Sequence, residues 1–152
     1  MDKANIYSGG NQRKINPDWF TGKTRMKEIG DVLQIAGQKM YHVYFESGSR
    51  TKLHQHSGNQ ILIVTEGEGS LESFKKTSRG RDGFGIKRVG RTPLRMGDVA
   101  YVQARTLHTH GSTNQERTFS HIAINILPGR SAEYRTSWYE SDFESRVTAS
   151  IR

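Results

Sequence analysis

Apolar residues along this chain come in short bursts separated by turn-forming residues. The clearest runs are 39–45, 60–65, 99–102 and 119–127. Each has the length of a strand and is rich in β-branched or aromatic side chains, which suit a pleated, half-buried surface. Gly48, Gly67-Glu68-Gly69, Gly97-Asp98 and Gly111 punctuate the runs as turns. Within 119–127 the alternation places Ile122, Ile124 and Ile126 on one face and His121 and Asn125 on the other. No stretch up to 128 shows helical periodicity, and many short strands with glycine turns predict an all-β sandwich or barrel. Residues 130–146 read differently. Ser141 followed by Asp142, Phe143 and Glu144 fits a capping box, so a short C-terminal helix is expected there. Residues 1–16 are polar and contain glycine, the pattern of a flexible N-terminal arm. Trp19 and Phe20 follow the Asn16-Pro17 turn as an anchoring aromatic pair. There is no internal repeat.

Composition narrows the class. A chain of 152 residues has the length of one domain closing one core. Its hydrophobic fraction of 33% includes no run near the ~20 apolar residues that span a bilayer, so no membrane span is expected. Absence of cysteine excludes disulfides, thiolate metal sites and cysteine nucleophiles. The first dozen residues are polar and lack the apolar centre of a signal peptide, so a cytoplasmic location is expected.

The net charge is +8, from 23 Lys and Arg against 15 Asp and Glu. Nearly all of that excess sits in 75–95. Lys75, Lys76, Arg79, Arg81, Lys87, Arg88, Arg91 and Arg95 face a single acid, Asp82. Glycines 80, 83, 85 and 90 give the segment the look of a loop or flexible hairpin. A solvated loop is the ordinary reading of such a run. A phosphate grip on nucleic acid is the weaker one, because few aromatics are interleaved for stacking. A cationic rim drawing anionic substrates to a barrel mouth is a third.

The candidate chemistry lies in the histidines. His54 and His56 are spaced i, i+2, which puts both rings on one face of a strand. Gln60 follows and opens the next apolar run. His108 and His110 repeat the spacing after Gly97-Asp98. Several strands thus offer imidazole-bearing faces, which suits a metal in the mouth of a barrel.

Gly48, then His54-Gln-His56, Gln60 and Gly67, resembles the first motif of the cupin superfamily. Gly97-Asp98 followed by His108 resembles the second. Three departures stand out. The usual glutamate is Gln60, the usual proline of the second motif is Gln103, and the glycine that often follows is Arg105. Residues 68–96 are also longer than the compact form, the excess being a basic loop insertion at about 74–95. Asp18-Trp19-Phe20-Thr21-Gly22, Gly58–Thr65 and His121-Ile-Ala-Ile-Asn125 resemble small single-domain bacterial cupins. These include the manganese-dependent hydroxynitrile lyases and the cupins found beside carboxymuconolactone decarboxylases, and glutamine does serve as a ligand in that group.

The resemblance implies a single-domain jelly-roll barrel over 17–146, a homodimer, and one divalent ion held by His54, His56, Gln60 and His108. Manganese is the first choice, with iron, zinc or nickel as alternatives. His121 matches a catalytic base, and Asn125 a position that orients substrate. Tyr41, Val43 and His110 match positions that line the pocket, and Tyr41 is large where the lyases carry a small residue. His42 alternates out of phase with Tyr41 and Val43 and falls outside the site. Three neutral imidazoles and an amide oxygen suit a first-row dication and leave its charge uncompensated, so an anion should be held in an open position. The leading expectation is therefore a metal-dependent lyase of hydroxynitrile-lyase type, or related carbon–carbon bond chemistry, on a small organic substrate. A metal-dependent dioxygenase and a non-catalytic small-ligand-binding cupin are the alternatives.

Overall fold

The structure, a computed structural model, describes residues 1–130 and 132–152. In chain order the strands are β1 (Asn11–Gln12), β2 (Thr24–Glu28), β3 (Gln38–Phe45), β4 (Leu53–His56), β5 (Gln60–Glu66) and β6 (Glu68–Arg79). They continue with β7 (Phe84–Arg95), β8 (Val99–Val102), β9 (Leu107–Ser112), β10 (Phe119–Ile126), β11 (Thr136–Ser141) and β12 (Arg146–Ile151). Among the described residues the helical pieces are one turn at Gly30–Leu33 and a 3-10 turn at Pro17–Trp19. None is long and apolar enough to cross a membrane.

Two antiparallel layers form. The first is a six-stranded sheet in the order β1-β2-β3-β10-β5-β8, and the second closes on itself in the order β11-β12-β7-β6-β9-β4. Phe20, Val43, Phe45, Val64, Leu94 and Phe119 fill the space between the layers. Leu53, Phe74, Ile86, Leu107 and Val147, with Phe84 and Tyr139 against them, form a separate cluster to which all six strands of the closed sheet contribute. Among the described residues the chain therefore builds two apolar clusters where its length predicted one.

The second cluster explains the basic segment, which is not a loop. It forms most of a hairpin of two twelve-residue strands, β6 and β7, turned at Gly80, whose N–H donates to Gly83 O. Phe74 and Ile86 point into the closed sheet and are buried, and Phe84 and Gly85 pair with Val147 and Arg146 of β12. Apolar residues are sparse among the cations, so charge masks the strand pattern, yet each one that faces inward meets a partner.

The C-terminal helix expected at 141–146 is also replaced by a hairpin. Asp142 Oδ1 accepts from the N–H groups of Glu144 (2.9 Å), Ser145 (2.8 Å) and Arg146 (3.0 Å), and Phe143 takes a left-handed φ of 59°. The carboxylate that resembled a helix cap thus closes a tight turn. Pairing of β11 with both β4 and β12 satisfies backbone groups that a lone helical turn would leave open. At the other end, the arm expected over 1–16 includes β1, and its Ile6–Tyr7 stretch lies on the outer face of the first sheet. There Lys27 Nζ donates to the carbonyls of Ile6 (3.0 Å) and Tyr7 (2.8 Å).

Candidate metal centre

Alternation along β4 sends Leu53 into the second cluster and His54 and His56 toward the first sheet. On β9, Leu107 likewise turns inward while His108 and His110 share the opposite face. His54 and His108 are direct register partners, and their ring centroids lie 4.1 Å apart. From the opposing sheet β5 contributes Gln60, and β10 contributes His121 and Asn125. All seven of these polar side chains are buried.

Each of the four expected ligands has one polar atom tied down. The Nδ1–H groups of His54 and His108 donate to the backbone carbonyls of Lys52 (2.9 Å) and Thr106 (2.8 Å). A carbonyl only accepts, so both rings present a bare Nε2. His56 Nδ1 lies 2.8 Å from Thr136 Oγ1, and Gln60 Nε2 donates to Asn125 Oδ1 (2.9 Å). Of the four remaining atoms, His56 Nε2, Gln60 Oε1 and His108 Nε2 are buried without any partner. A buried acceptor left unpaired costs about 1–3 kcal/mol, so three in one place call for a shared cation. Outer-shell bonds of this kind fix tautomer and aim in metal sites. Neutral nitrogens with one amide oxygen suit a divalent first-row ion.

By proximity alone the imidazoles group slightly differently. His54, His108 and His110 bring ligand nitrogens within 4.8 Å of one another, close enough to share one ion. His110 differs from the other two in its second nitrogen, because its Nδ1 lies 3.0 Å from His121 Nε2. That bond joins His110 and His121 into a pair beside the cluster. His121 Nδ1 is buried with no partner.

Burial, reinforced for some rings by neighbouring imidazoles, disfavours the charged forms throughout. It lowers His56 to about 3, His108 to about 4 and His121 to about 3. His54 and His110 also fall well below the usual imidazole value. The rings are therefore neutral lone-pair donors at ordinary pH.

The cluster opens into a cavity of about 730 Å³ whose walls include Tyr41 and Val43. His42, on the other face of β3, lies outside it. Its ring is wholly buried under the N-terminal arm, with Nδ1 2.7 Å from Ile6 O and Nε2 2.9 Å from Thr65 Oγ1. Arg105 is exposed and takes a left-handed φ of 65°, the conformation for which a glycine is usual at that turn.

Sequence reasoning missed one wall. Tyr134, Thr136 and Trp138 all line the cavity. Trp138 stacks on His54 at 4.4 Å and on Trp19 at 5.2 Å, while Tyr134 packs on His56 at 5.0 Å. Their spacing of two is the strand signal that was available, but the capping-box pattern a few residues later obscured it.

Comparison with known proteins agrees with this architecture. The chain is 31% identical over 121 residues to an (R)-mandelonitrile lyase of Granulicella tundricola, covering 77% of this chain and 79% of that one. Its fold matches a cupin-like protein of Thermotoga maritima with a TM-score of 0.63 at 27% identity, over 91% and 90% of the two chains. A predicted oxalate decarboxylase of the same organism shares the fold at a TM-score of 0.58 and 18% identity, over 83% and 99%. No family model matches the chain. The two layers, the histidine-bearing strands between them and the mandelonitrile lyase relative together show that this chain belongs to the cupin superfamily.

Proposed function

We propose that this chain is a metal-dependent lyase cleaving or forming a carbon–carbon bond next to an oxygen on a small organic substrate, as in cyanohydrin chemistry. The observation that carries it is the convergence of buried, unpartnered donor atoms at the base of a cavity large enough for a small substrate. The named activity of the Granulicella relative supports the reaction class.

His54, His56, Gln60 and His108 hold a divalent ion, manganese in the first instance. When bound, that ion supplies a Lewis acid for the substrate oxygen. Asn125 spends its carbonyl on Gln60, which leaves its NH2 group free to donate to substrate. His121 is the proton acceptor at Nδ1 when its Nε2–H donates to His110. Tyr41 and Val43 shape the wall, and the bulk of Tyr41 selects a shorter or shifted substrate. A homodimer in the cytoplasm belongs to the same reading.

The test is cyanohydrin cleavage by metal-loaded protein beside elemental analysis. His121→Ala should lose activity by ~100-fold or more, the scale of a general base, while keeping its metal. No cleavage of any cyanohydrin or aldol-type adduct by the metal-loaded parent overturns the lyase assignment. Oxygen uptake in its place would assign the chain to the dioxygenases.

A further inference from the structure

The cavity has a chemically lopsided wall. On β3, Lys39, Tyr41 and Val43 alternate onto the face that lines it. Arg13, just beyond β1, joins them. Its Nη1 donates to Tyr41 Oη (2.8 Å), and its guanidinium lies 5.0 Å from the centre of the Tyr41 ring. Arg152 also borders the cavity, where its main-chain oxygen accepts from Asn16 Nδ2 (2.8 Å) and Trp19 Nε1 (3.3 Å), and Glu133 is the one acidic side chain among the described lining residues. Glu133 is already paired with Arg135 at 3.3 Å and is 77% exposed. Each of the two cations on this wall has one acid at the outer edge of ion-pair range, beyond hydrogen-bond distance, with Glu28 3.8 Å from Arg13 and Asp31 3.8 Å from Lys39.

Register places these cations relative to the candidate metal centre. Asn125 pairs with Lys39 on one side and with Gln60 on the other. Lys39 therefore stands two strands from Gln60, on the order of 10 Å between backbones. Trp19, Phe20 and Trp138 supply apolar surface to the same cavity. Neither ion pair is close enough to be a hydrogen bond, so both cations keep donors for an anionic ligand.

We propose that the substrate carries a carboxylate remote from its reacting oxygen, and that Lys39 and Arg13 bind it at the mouth of the cavity. This rests on the function proposed above only in placing the reacting oxygen at the histidine cluster. The two strand spacings between Lys39 and Gln60, with β10 between them, suit an aryl ring or a short chain separating the two groups. Arg13 offers a planar fork and Lys39 a point charge, and both retain enough exposure, 45% and 46%, to accept a ligand without refolding. Arg13 also holds Tyr41 in place, so the arm of the chain contributes a specificity-determining residue.

The experiment is calorimetric titration with matched probes: 4-formylbenzoate against 4-formylbenzamide, and 4-oxobutanoate against its amide. Both pairs are run on metal-loaded and on chelator-treated protein. The carboxylate should bind at least tenfold more tightly than its amide in one pair or both, and the preference should survive chelation. Lys39→Gln with Arg13→Gln should bring the ratio to within twofold, and Arg13→Lys should restore part of it, with metal content unchanged. A parent protein that prefers the carboxylate in neither pair overturns the proposal. So does a preference that vanishes on chelation, which belongs to the ion, or one the double variant retains. Failure of the lyase assignment would instead appear as missing turnover with the preference intact.

Discussion

Thr136→Val probes whether His56 holds the ion. The substitution replaces one hydroxyl by a methyl group of similar size on a half-buried strand position. It leaves β11 paired with β4, where Thr136 stands opposite His56. What it removes is the 2.8 Å hydrogen bond between Thr136 Oγ1 and His56 Nδ1, which fixes that ring's orientation. Loss of such an outer-shell partner lowers metal affinity by roughly 10–100-fold, equivalent to about 1.4–2.7 kcal/mol. The stabilisation that a given concentration of ion confers shrinks by the same amount once the ion is in excess. For a chain of this size that is roughly 3–11 °C less of ion-induced rise in melting temperature. Competition with a chromophoric chelator gives the affinity, and melting with and without manganese checks it independently. An affinity within twofold of the parent would refute the reasoning and assign the ion to His54, His108 and His110. In that arrangement His110→Ala would abolish binding and Thr136→Val would leave it untouched.

Two further predictions concern the scaffold. Ile86→Ala should destabilise the protein by about 2–5 kcal/mol in urea unfolding, because it opens a cavity in the cluster inside the closed sheet. Lys87→Ser on the exposed face next to it should stay within about 0.5 kcal/mol, and equal effects would mean the hairpin is not packed. Acid should unfold the metal-free protein. His56, His108 and His121 sit at about 3, 4 and 3 in the fold and near 6.5 when unfolded, so between those values the unfolded chain binds more protons. Stability is then full above about pH 6.5 and falls as pH drops toward 3–4, by up to about 1.4 kcal/mol per pH unit for each ring. Denaturant midpoints at pH 7, 6 and 5 that do not decline would contradict the burial of these rings.

Local pattern was sufficient wherever one face of a strand is apolar and the other carries chemistry. The alternation of Ile122 and Ile124 against His121 and Asn125, and of Leu53 against His54, is visible because strand period is two and each face has a uniform role. It failed where the apolar partners are few and distant. Phe74 and Ile86 are lone apolar residues in a cationic stretch, and what buries them is Leu53, Leu107 and Val147, far away in the chain. Asp142 shows the converse problem. The same carboxylate serves a helix N-cap or a strand turn, since in both it accepts from N–H groups two to four residues on. Pairing of β11 with β12 and with β4 decides between them, and the contact with β4 joins residues about eighty positions apart.

The candidate site shows the same division between identity and placement. Residue type and spacing single out His54, His56, Gln60 and His108, but what turns them into a convergent donor set is tertiary. His56 is aimed by Thr136 of β11 and Gln60 by Asn125 of β10, while His54 and His108 are aimed by carbonyls two residues before each of them. The two self-anchored rings are direct cross-strand partners and form the rigid half of the cluster. The other two depend on closure, one on the C-terminal hairpin and one on the opposing sheet. Damage to the hairpin turn at Asp142 should therefore reach the ligands through Thr136 and His56, leaving His54 and His108 aligned. The cluster would then lose affinity in steps, and it would not collapse at once.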